Sequence, residues 1–365
     1  MRIAYFISSH GFGHAARACA VMAAVHDRQP DLHFELFTSV PRWFFEDSLG
    51  HPVDLHAGGA DFGWVQTDAL QEDLPATVAA LKQRIPFQSG ELDHLARRLE
   101  ELGVGLVICD IAPVGLAAAR RAGLPSLLIE NFTWDWIYRH YAETEPDLEP
   151  IADDLGELFD SADVHIQTEP CCRPLATAQQ VAPVSRRPRQ NRRATRRQLG
   201  IPEDAAGRPA RLVMVTMGGI EWDYADLERR LAARGRDNWW LLVAGAADEP
   251  RRVGQAILLP HRSDFYHPDL IHAADGVIGK LGYSTLAEIA AAGVAFGYVP
   301  RPGFAESPVL EAWVREHLPH LRVEAESFVS GRWLDQVETL LSVPRRRRPI
   351  ADGGDEIARR IVTWS

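Results

Sequence analysis

Two histidines and a few acids fall at positions where a chain of this pattern could move protons and hold phosphate. The segment SSHGFGHAAR, Ser8 to Arg17, follows a short apolar run and sets His10 and His14 around Gly11 and Gly13. Imidazole has the ordinary pKa best suited to a general base near neutrality, although a histidine at a helix start can equally be held by local hydrogen bonds alone. Asp110 closes another apolar run, GLVIC. A carboxylate beside a histidine fixes its tautomer and stabilises it once it takes a proton. The competing reading of Asp110 is a helix cap ahead of Ala112 and Pro113.

The stretch from Asp275 to Pro302, DGVIGKLGYSTLAEIAAAGVAFGYVPRP, reads as strand, glycine turn, helix and strand. The unpaired N–H groups of such a helix start, at the carboxyl edge of a parallel sheet, favour phosphate. That makes Gly282, Tyr283, Ser284 and Thr285 candidates for holding a diphosphate. Lys280, one of only two lysines in the chain, adds a cation inside the turn. Glu288, one helical turn further, can accept two hydrogen bonds from a ribose diol; alternatively, Thr285 and Glu288 form a T-x-x-E capping box. Gly218 and Gly219 offer a second turn with backbone donors for a pyrophosphate. The run NFTWDWIYRHY, Asn131 to Tyr141, holds five aromatics, and Trp134 there either packs in the core or floors a sugar-binding surface.

These residues need strands to present them. The sequence predicts strands at Arg2 to Ser9, His33 to Thr38, Pro52 to His56, Gly105 to Cys109, Pro125 to Ile129 and Val164 to Gln167. Helices are expected between them at about Ala15 to Asp27, Asp68 to Arg84, Gly90 to Leu102, Pro113 to Ala122 and Leu148 to Ser161. Strands alternating with helices at this spacing imply a parallel, doubly wound α/β sheet. From Arg211 the pattern restarts, with strands at Leu212 to Thr216, Trp240 to Val243 and Ala256 to Leu259. The expected organisation is a first domain over 1–184, a linker over 185–209, a second domain over 210–345 and a closing helical segment over 346–365. Asp352 is placed to cap the last helix, which could return to the first domain. Seven arginines between Ser185 and Arg197 read as a solvated linker suited to a hinge, rather than as a phosphate-binding patch.

At 365 residues the chain exceeds what one core usually serves. Its formal charge of −11 argues against nucleic acid as a partner. No apolar run approaches the ~18 residues that span a bilayer, and the start of the chain lacks a signal-peptide pattern. The four cysteines, Cys19, Cys109, Cys171 and Cys172, have no metal-ligand spacing, so reduced thiols in the cytoplasm are the expectation. Neither a metal nor a tightly bound cofactor is expected.

The segments HGFGHAAR, CDIAPVGLAAARRAG, NFTWDWIYRHY, GKLGYSTLAEIAAAGVAFGYVPRP and RPGFAESPVLEAWV together resemble the two-domain nucleotide-sugar glycosyltransferases of the GT-B fold. The likeness extends to the lipid II-forming N-acetylglucosaminyltransferase and the UDP-glycosyltransferases. It is nearer to the glycosyltransferase-like N-terminal region of plant arabinokinases, and it spans nearly the whole chain. The resemblance implies two Rossmann-like domains facing across a cleft, with His14 as catalytic base and Asp110 as its partner. It implies Glu288 on the donor ribose, and Gly282 to Thr285 facing the diphosphate. Where the peptidoglycan enzyme carries a Gln-rich donor-sugar motif, this chain has Glu306, Ser307, Pro308 and Glu311. His10, Gly11, Gly13, Trp134, Glu306 and Glu311 are accordingly candidates for contacts to the donor sugar or the acceptor. The kinase half of the arabinokinases has no counterpart in this sequence. The implied activity is inverting, metal-independent transfer from a nucleotide-diphosphate sugar, UDP-linked, to an acceptor hydroxyl not specified by the sequence. A nucleotide-sugar-binding regulatory module and a nucleotide-sugar epimerase remain the alternatives.

Overall fold

The computed structural model describes the chain apart from residues 57–62, 66–72, 204–206, 208, 219–223, 234–237, 347–349 and 365. Two compact units are formed. The first carries strands β1 (Arg2–Ile7), β2 (His33–Phe37), β3 (Asp54–His56), β4 (Val104–Asp110), β5 (Ser126–Glu130), β6 (Val164–Thr168) and β7 (Gln179–Val181). They form one sheet in the order β3-β2-β1-β4-β5-β6-β7, every pair parallel. The strand sequences explain the arrangement. Ile3 to Ile7 are all fully buried, because helices cover both faces of a parallel sheet and its central strands become continuous apolar runs.

The helix Gly13–Arg28 is rich in alanine on its sheet-facing side, and small side chains let it lie close to Ile3, Tyr5 and Ile7. On the other face, Gly115 in the helix Pro113–Ala122 has no room for a side chain. A Cβ there would sit 2.6 Å from Phe6 and from the Cys109 sulfur. Of the helix expected over Asp68 to Arg84, the part over 68–72 lies outside the described residues; the described part is the helix Leu74–Leu81, started by the Asp73 carboxylate accepting from the Ala76 N–H at 2.9 Å. The chain's last helix, Gly354–Val362, packs on Gly13–Arg28 within the same unit, burying Ile357, Ala358 and Ile361 completely. Asp352 accepts from the Gly354 N–H at 3.0 Å and from Ser185 N–H at 3.4 Å, tying the start of that helix to the end of the preceding fold.

The second unit spans Arg186 to Ile350. Its strands are β8 (Arg211–Thr216), β9 (Trp239–Ala244), β10 (Arg251–Val253), β11 (Ala256–Leu259), β12 (Gly276–Lys280), β13 (Ala295–Val299) and β14 (His320–Arg322). Their order is β10-β11-β9-β8-β12-β13-β14, parallel except for the antiparallel edge strand β10. Alternation along β8 divides its side chains between two cores. Leu212 and Met214 join one, with Phe296 and Leu286; Val213 and Val215 join the other, with Ile278 and Val299. β12 and β8 approach closely at Gly279, where a Cβ would stand 2.2 Å from the Thr216 carbonyl oxygen.

The arginine-rich stretch after Ser185 is only in part the solvated linker its composition suggests: Arg187, Arg189, Arg193 and Arg197 are exposed, whereas Arg186 and Arg196 are buried. It folds as part of the second unit and contains a helix, Arg192–Gln198, started by the Asn191 side chain. Arg192 donates to the Ala274 carbonyl at 2.7 Å and Arg196 to the Ala273 carbonyl at 2.8 Å, and both pair with Asp275. These carbonyls belong to the last residue and the C-cap of the helix His267–Ala273, which lie beyond the reach of its own N–H groups. Arg196 is consequently only 4% exposed. Among the described residues, no helix is long and apolar enough to cross a membrane.

The terminal helix supplies the sharpest stability test of this architecture. Ile361→Ala should destabilise the first unit by about 2–5 kcal/mol, the cost of emptying a fully buried aliphatic site. Urea unfolding followed by circular dichroism measures it, and a change under 0.5 kcal/mol would mean that the helix is not part of the core.

Candidate functional site

The carboxyl ends of β1, β4 and β5 meet around Asp110. The Ser8 N–H donates to the Asp110 carbonyl and the Ile111 N–H to the Ile129 carbonyl, each at 3.2 Å. Asp110 is fully buried and His14 is 9% exposed. Their side chains touch, His14 Nδ1 to Asp110 Oδ1 at 2.9 Å. With Nδ1–H as the donor, Nε2 is left as the basic nitrogen. Asp110 therefore holds an imidazole, as expected. The helix-cap alternative is not realised, since the helix beginning at Pro113 has no side-chain cap on Ala112.

A third member was not anticipated. Arg17 lies one turn beyond His14 on the same helix and grips Asp110 with two donors, Nε to Oδ2 at 2.8 Å and Nη2 to Oδ1 at 2.6 Å. Its remaining nitrogen donates to Asn131 Oδ1 and, at 3.1 Å, to Thr168 Oγ1. Asn131 in turn donates to the Thr168 carbonyl at 2.7 Å and the Pro170 carbonyl at 3.2 Å. Burial alone would push the Asp110 carboxyl up. The Arg17 charge and the hydrogen bonds from Arg17 and His14 outweigh it and hold Asp110 below the usual carboxylate range. Directly after it, Ile111 has φ 43°, a left-handed conformation costly for a β-branched residue.

The other first-unit candidates stand outside this triad. Gly11 takes a left-handed turn, φ 70°, and Gly13 begins the helix that carries His14. The His10 ring meets Trp134 edge-on at 5.5 Å. Trp134 itself is 1% exposed and stacks on Tyr138, so of the two readings of the aromatic run its indole follows core packing.

In the second unit, Gly282 precedes the helix Tyr283–Ala292, which has no side-chain cap at its start. The capping-box alternative fails here too, because Glu288 is engaged elsewhere. Its Oε1 accepts from Arg186 Nε at 3.0 Å and Nη2 at 2.9 Å, and its Oε2 faces His267 Nδ1 at 2.9 Å. Burial again works to raise this carboxyl, and the Arg186 charge with the His267 bond holds it below the ordinary range. The line continues from His267 Nε2 to Thr216 Oγ1 at 3.3 Å, and that hydroxyl accepts from the Gly218 N–H at 3.2 Å. Gly218 sits in a left-handed turn, φ 70°, beside Lys280. Gly219 lies outside the described residues.

Lys280 ends β12. Burial, reinforced by the nearby Arg301, pushes its ammonium down to about 7, and Glu306 partly offsets this. Glu306 is 9% exposed and lies 3.5 Å from Arg301 Nη1 through Oε1, while its Oε2 is buried without a hydrogen-bond partner among the described residues. Glu311 does not join this group. It is taken up by the Tyr298 hydroxyl at 3.0 Å and Arg322 at 2.6 Å.

The residues missed by sequence reading are thus Arg17, Asn131, Thr168, Arg186, His267, Thr216 and Arg301. Arg17 carried a usable signal: it is three residues after His14, so the two share a helix face. Arg186 and His267 carried none, being separated from Glu288 by 102 and 21 residues.

Against this geometry, no protein-family model matches the chain. An L-arabinokinase of Arabidopsis thaliana is 28% identical over 368 residues, covering 98% of this chain and 34% of that protein. The chain therefore spans about a third of the length of this curated relative. Among solved structures, MurG of Acinetobacter baumannii is similar with a TM-score of 0.57 at 17% identity, covering 99% of each chain. A UDP-glucosyltransferase from Polygonum tinctorium capable of glucosylating indoxyl gives a TM-score of 0.59 at 13% identity, covering 100% of this chain and 98% of its own. In fold, the chain is of the GT-B type, two Rossmann-like α/β units each built on a parallel-dominated sheet.

Proposed function

We propose that the protein is an inverting glycosyltransferase that moves a sugar from a nucleotide-diphosphate donor, UDP-linked, to an acceptor hydroxyl without a metal. The contact of His14 Nδ1 with Asp110 Oδ1, at the carboxyl ends of two adjacent strands, carries this reading. A UDP-glucosyltransferase among the structures of the same fold supports the donor class. His14 Nε2 takes the proton of the acceptor hydroxyl as its oxygen attacks the anomeric carbon. The bond from that carbon to the diphosphate breaks on the opposite face, which inverts the centre. The N–H groups of the turn Gly282 to Thr285, the Gly218 turn and the Lys280 ammonium take up the charge of the departing diphosphate. Glu288 keeps one lone-pair direction on Oε2 for a ribose hydroxyl, the rest of its capacity being used by Arg186 and His267. The reading carries with it a cytoplasmic location, where cysteines outside any metal spacing stay reduced.

One observation favours a nucleotide-sugar-binding module instead. Arg17 already meets the charge of Asp110 with two hydrogen bonds, so the acid is satisfied whether or not His14 ever takes a proton. The two readings part on His14. In the enzyme, His14→Ala lowers turnover of the donor about 10²- to 10⁴-fold, the usual contribution of a general base, and leaves UDP affinity unchanged. Turnover equal to that of the native protein would remove the base.

The donor site has its own tests. Glu288→Ala should weaken UDP binding by about 1.5–3 kcal/mol, as expected for hydrogen bonds to a charged group. Calorimetry on a variant with native circular dichroism decides it, and an unchanged Kd places the ribose elsewhere. Lys280 sets the pH response. Its pKa in the free protein is about 7, so the ammonium that attracts the diphosphate is present below that pH and lost above it. Donor affinity should fall as pH rises from 7 to 9, by up to tenfold per unit, until the pKa of the ligand-bound state is passed. Lys280→Met should flatten the profile, and an identical slope in that variant would exclude Lys280 from the site.

A further inference from the structure

On the first sheet, away from the carboxyl ends that hold His14 and Asp110, the sequence places H-x-E on β2 and D-x-H on β3: His33, Glu35, Asp54 and His56. Alternation puts both members of each pair on one face. The parallel register sets Glu35 opposite Asp54 and Phe37 opposite His56, so all four side chains share that face. His33 Nε2 lies 2.7 Å from Asp54 Oδ2 and 3.8 Å from Glu35 Oε1. One donor atom from each of His33, Glu35 and Asp54 falls within 4.8 Å of the other two.

We propose that His33, Glu35 and Asp54 form a binding site for a divalent transition metal, with Zn2+ the fitting ion, that clips β3 to β2. Bonds of about 2.0–2.2 Å to imidazole nitrogen and carboxylate oxygen around a tetrahedral ion set ligand atoms about 3.5 Å apart. The separations of 2.7 and 3.8 Å bracket that value, so side-chain shifts of about an ångström complete the set. Mixed imidazole and carboxylate donors suit Zn2+ and its neighbours, whereas Mg2+ and Ca2+ prefer oxygen alone. Glu35 is 1% exposed, and its second oxygen is held by His56 Nε2 at 2.7 Å. The His56 ring is fixed in turn by stacking on Phe37, with centroids 4.7 Å apart. Such a partner orients a ligating carboxylate. His33 and Asp54 are open to solvent on the other side, which provides the entry path and a position for water as fourth ligand. Arg2 also pairs with Glu35 Oε1, but its side chain is 46% exposed and free to swing aside when the ion enters. The gain falls where the fold is thinnest: β3 is a three-residue edge strand, and a metal bound only in the folded state adds stability by mass action.

The test is a titration of the chelator-treated full chain with ZnCl2 by calorimetry, alongside thermal melting. One equivalent should bind with a Kd in the micromolar range or tighter and raise Tm. The double variant His33→Gln, Asp54→Asn alters partly exposed side chains and should fold; it should lose at least tenfold in affinity along with the Tm rise, while keeping native UDP binding. The competing zinc ligands are His26 and His51, whose rings stack at 4.2 Å beside this edge. Zinc binding that survives in the double variant and disappears in His51→Ala would overturn the assignment, as would no binding by the native chain.

Discussion

The structure depends on a carboxylate with nowhere to put its charge except onto an arginine. Asp110 ends a central strand and is wholly buried. An isolated ionised acid in that position would be neutralised by an upward pKa shift or would cost several kcal/mol. Arg17 prevents this with a two-point grip whose planar fork matches the carboxylate. The guanidinium is buried as well, so its other donors must also be met, and Asn131, Thr168 and the Ile129 carbonyl meet them. One buried charge at the end of β4 thus fixes the ends of β5 and β6 and the first turns of the helix Gly13–Arg28. His14 rides on that helix.

The second unit solves the same problem with different residues. Glu288 is 4% exposed and is gripped by Arg186 through two donors on one oxygen, with His267 on the other. Each unit has a buried acid held between an arginine that supplies charge and a histidine that supplies direction. In the first unit the histidine's Nε2 is left uncommitted by the Asp110 contact. In the second, both nitrogens of His267 are used, and the ring passes the constraint on to Thr216 and the Gly218 turn. The first arrangement suits proton transfer; the second suits holding a ligand in a fixed frame. The division of labour follows from which imidazole nitrogen remains available.

What the sequence made legible was whatever depends on local pattern. The apolar runs of β1, β4, β8 and β12, the glycine turns and the helix after Gly282 are written in periodicity and in residues with special backbone freedom. His14, Asp110 and Glu288 were legible because each follows a strand or opens a helix. The arginines were not. An arginine on an alanine-rich helix, or in a run of seven, looks like solvated surface by composition, and burial is decided by partners far along the chain. Arg196 and Arg192 show the physics: their charge is drawn inward by Asp275 and by carbonyls that the helix His267–Ala273 leaves without donors. Trp134 illustrates the opposite ambiguity, since an indole serves a core and a sugar surface equally well and only its neighbours decide.

The arginine grip also changes how the His14–Asp110 pair must be understood. In a triad of the ordinary kind the acid's full charge is available to stabilise the imidazolium. Here Arg17 shares that charge through two hydrogen bonds, while the Asp110 contact orients the imidazole. The Asp110 contact at Nδ1 keeps the Nε2 lone pair of His14 aimed. The strained backbone at Ile111, immediately after Asp110, is consistent with that emphasis on aim. Its left-handed φ costs stability, and the buried network from Ser8 to Thr168 is what can hold it in place.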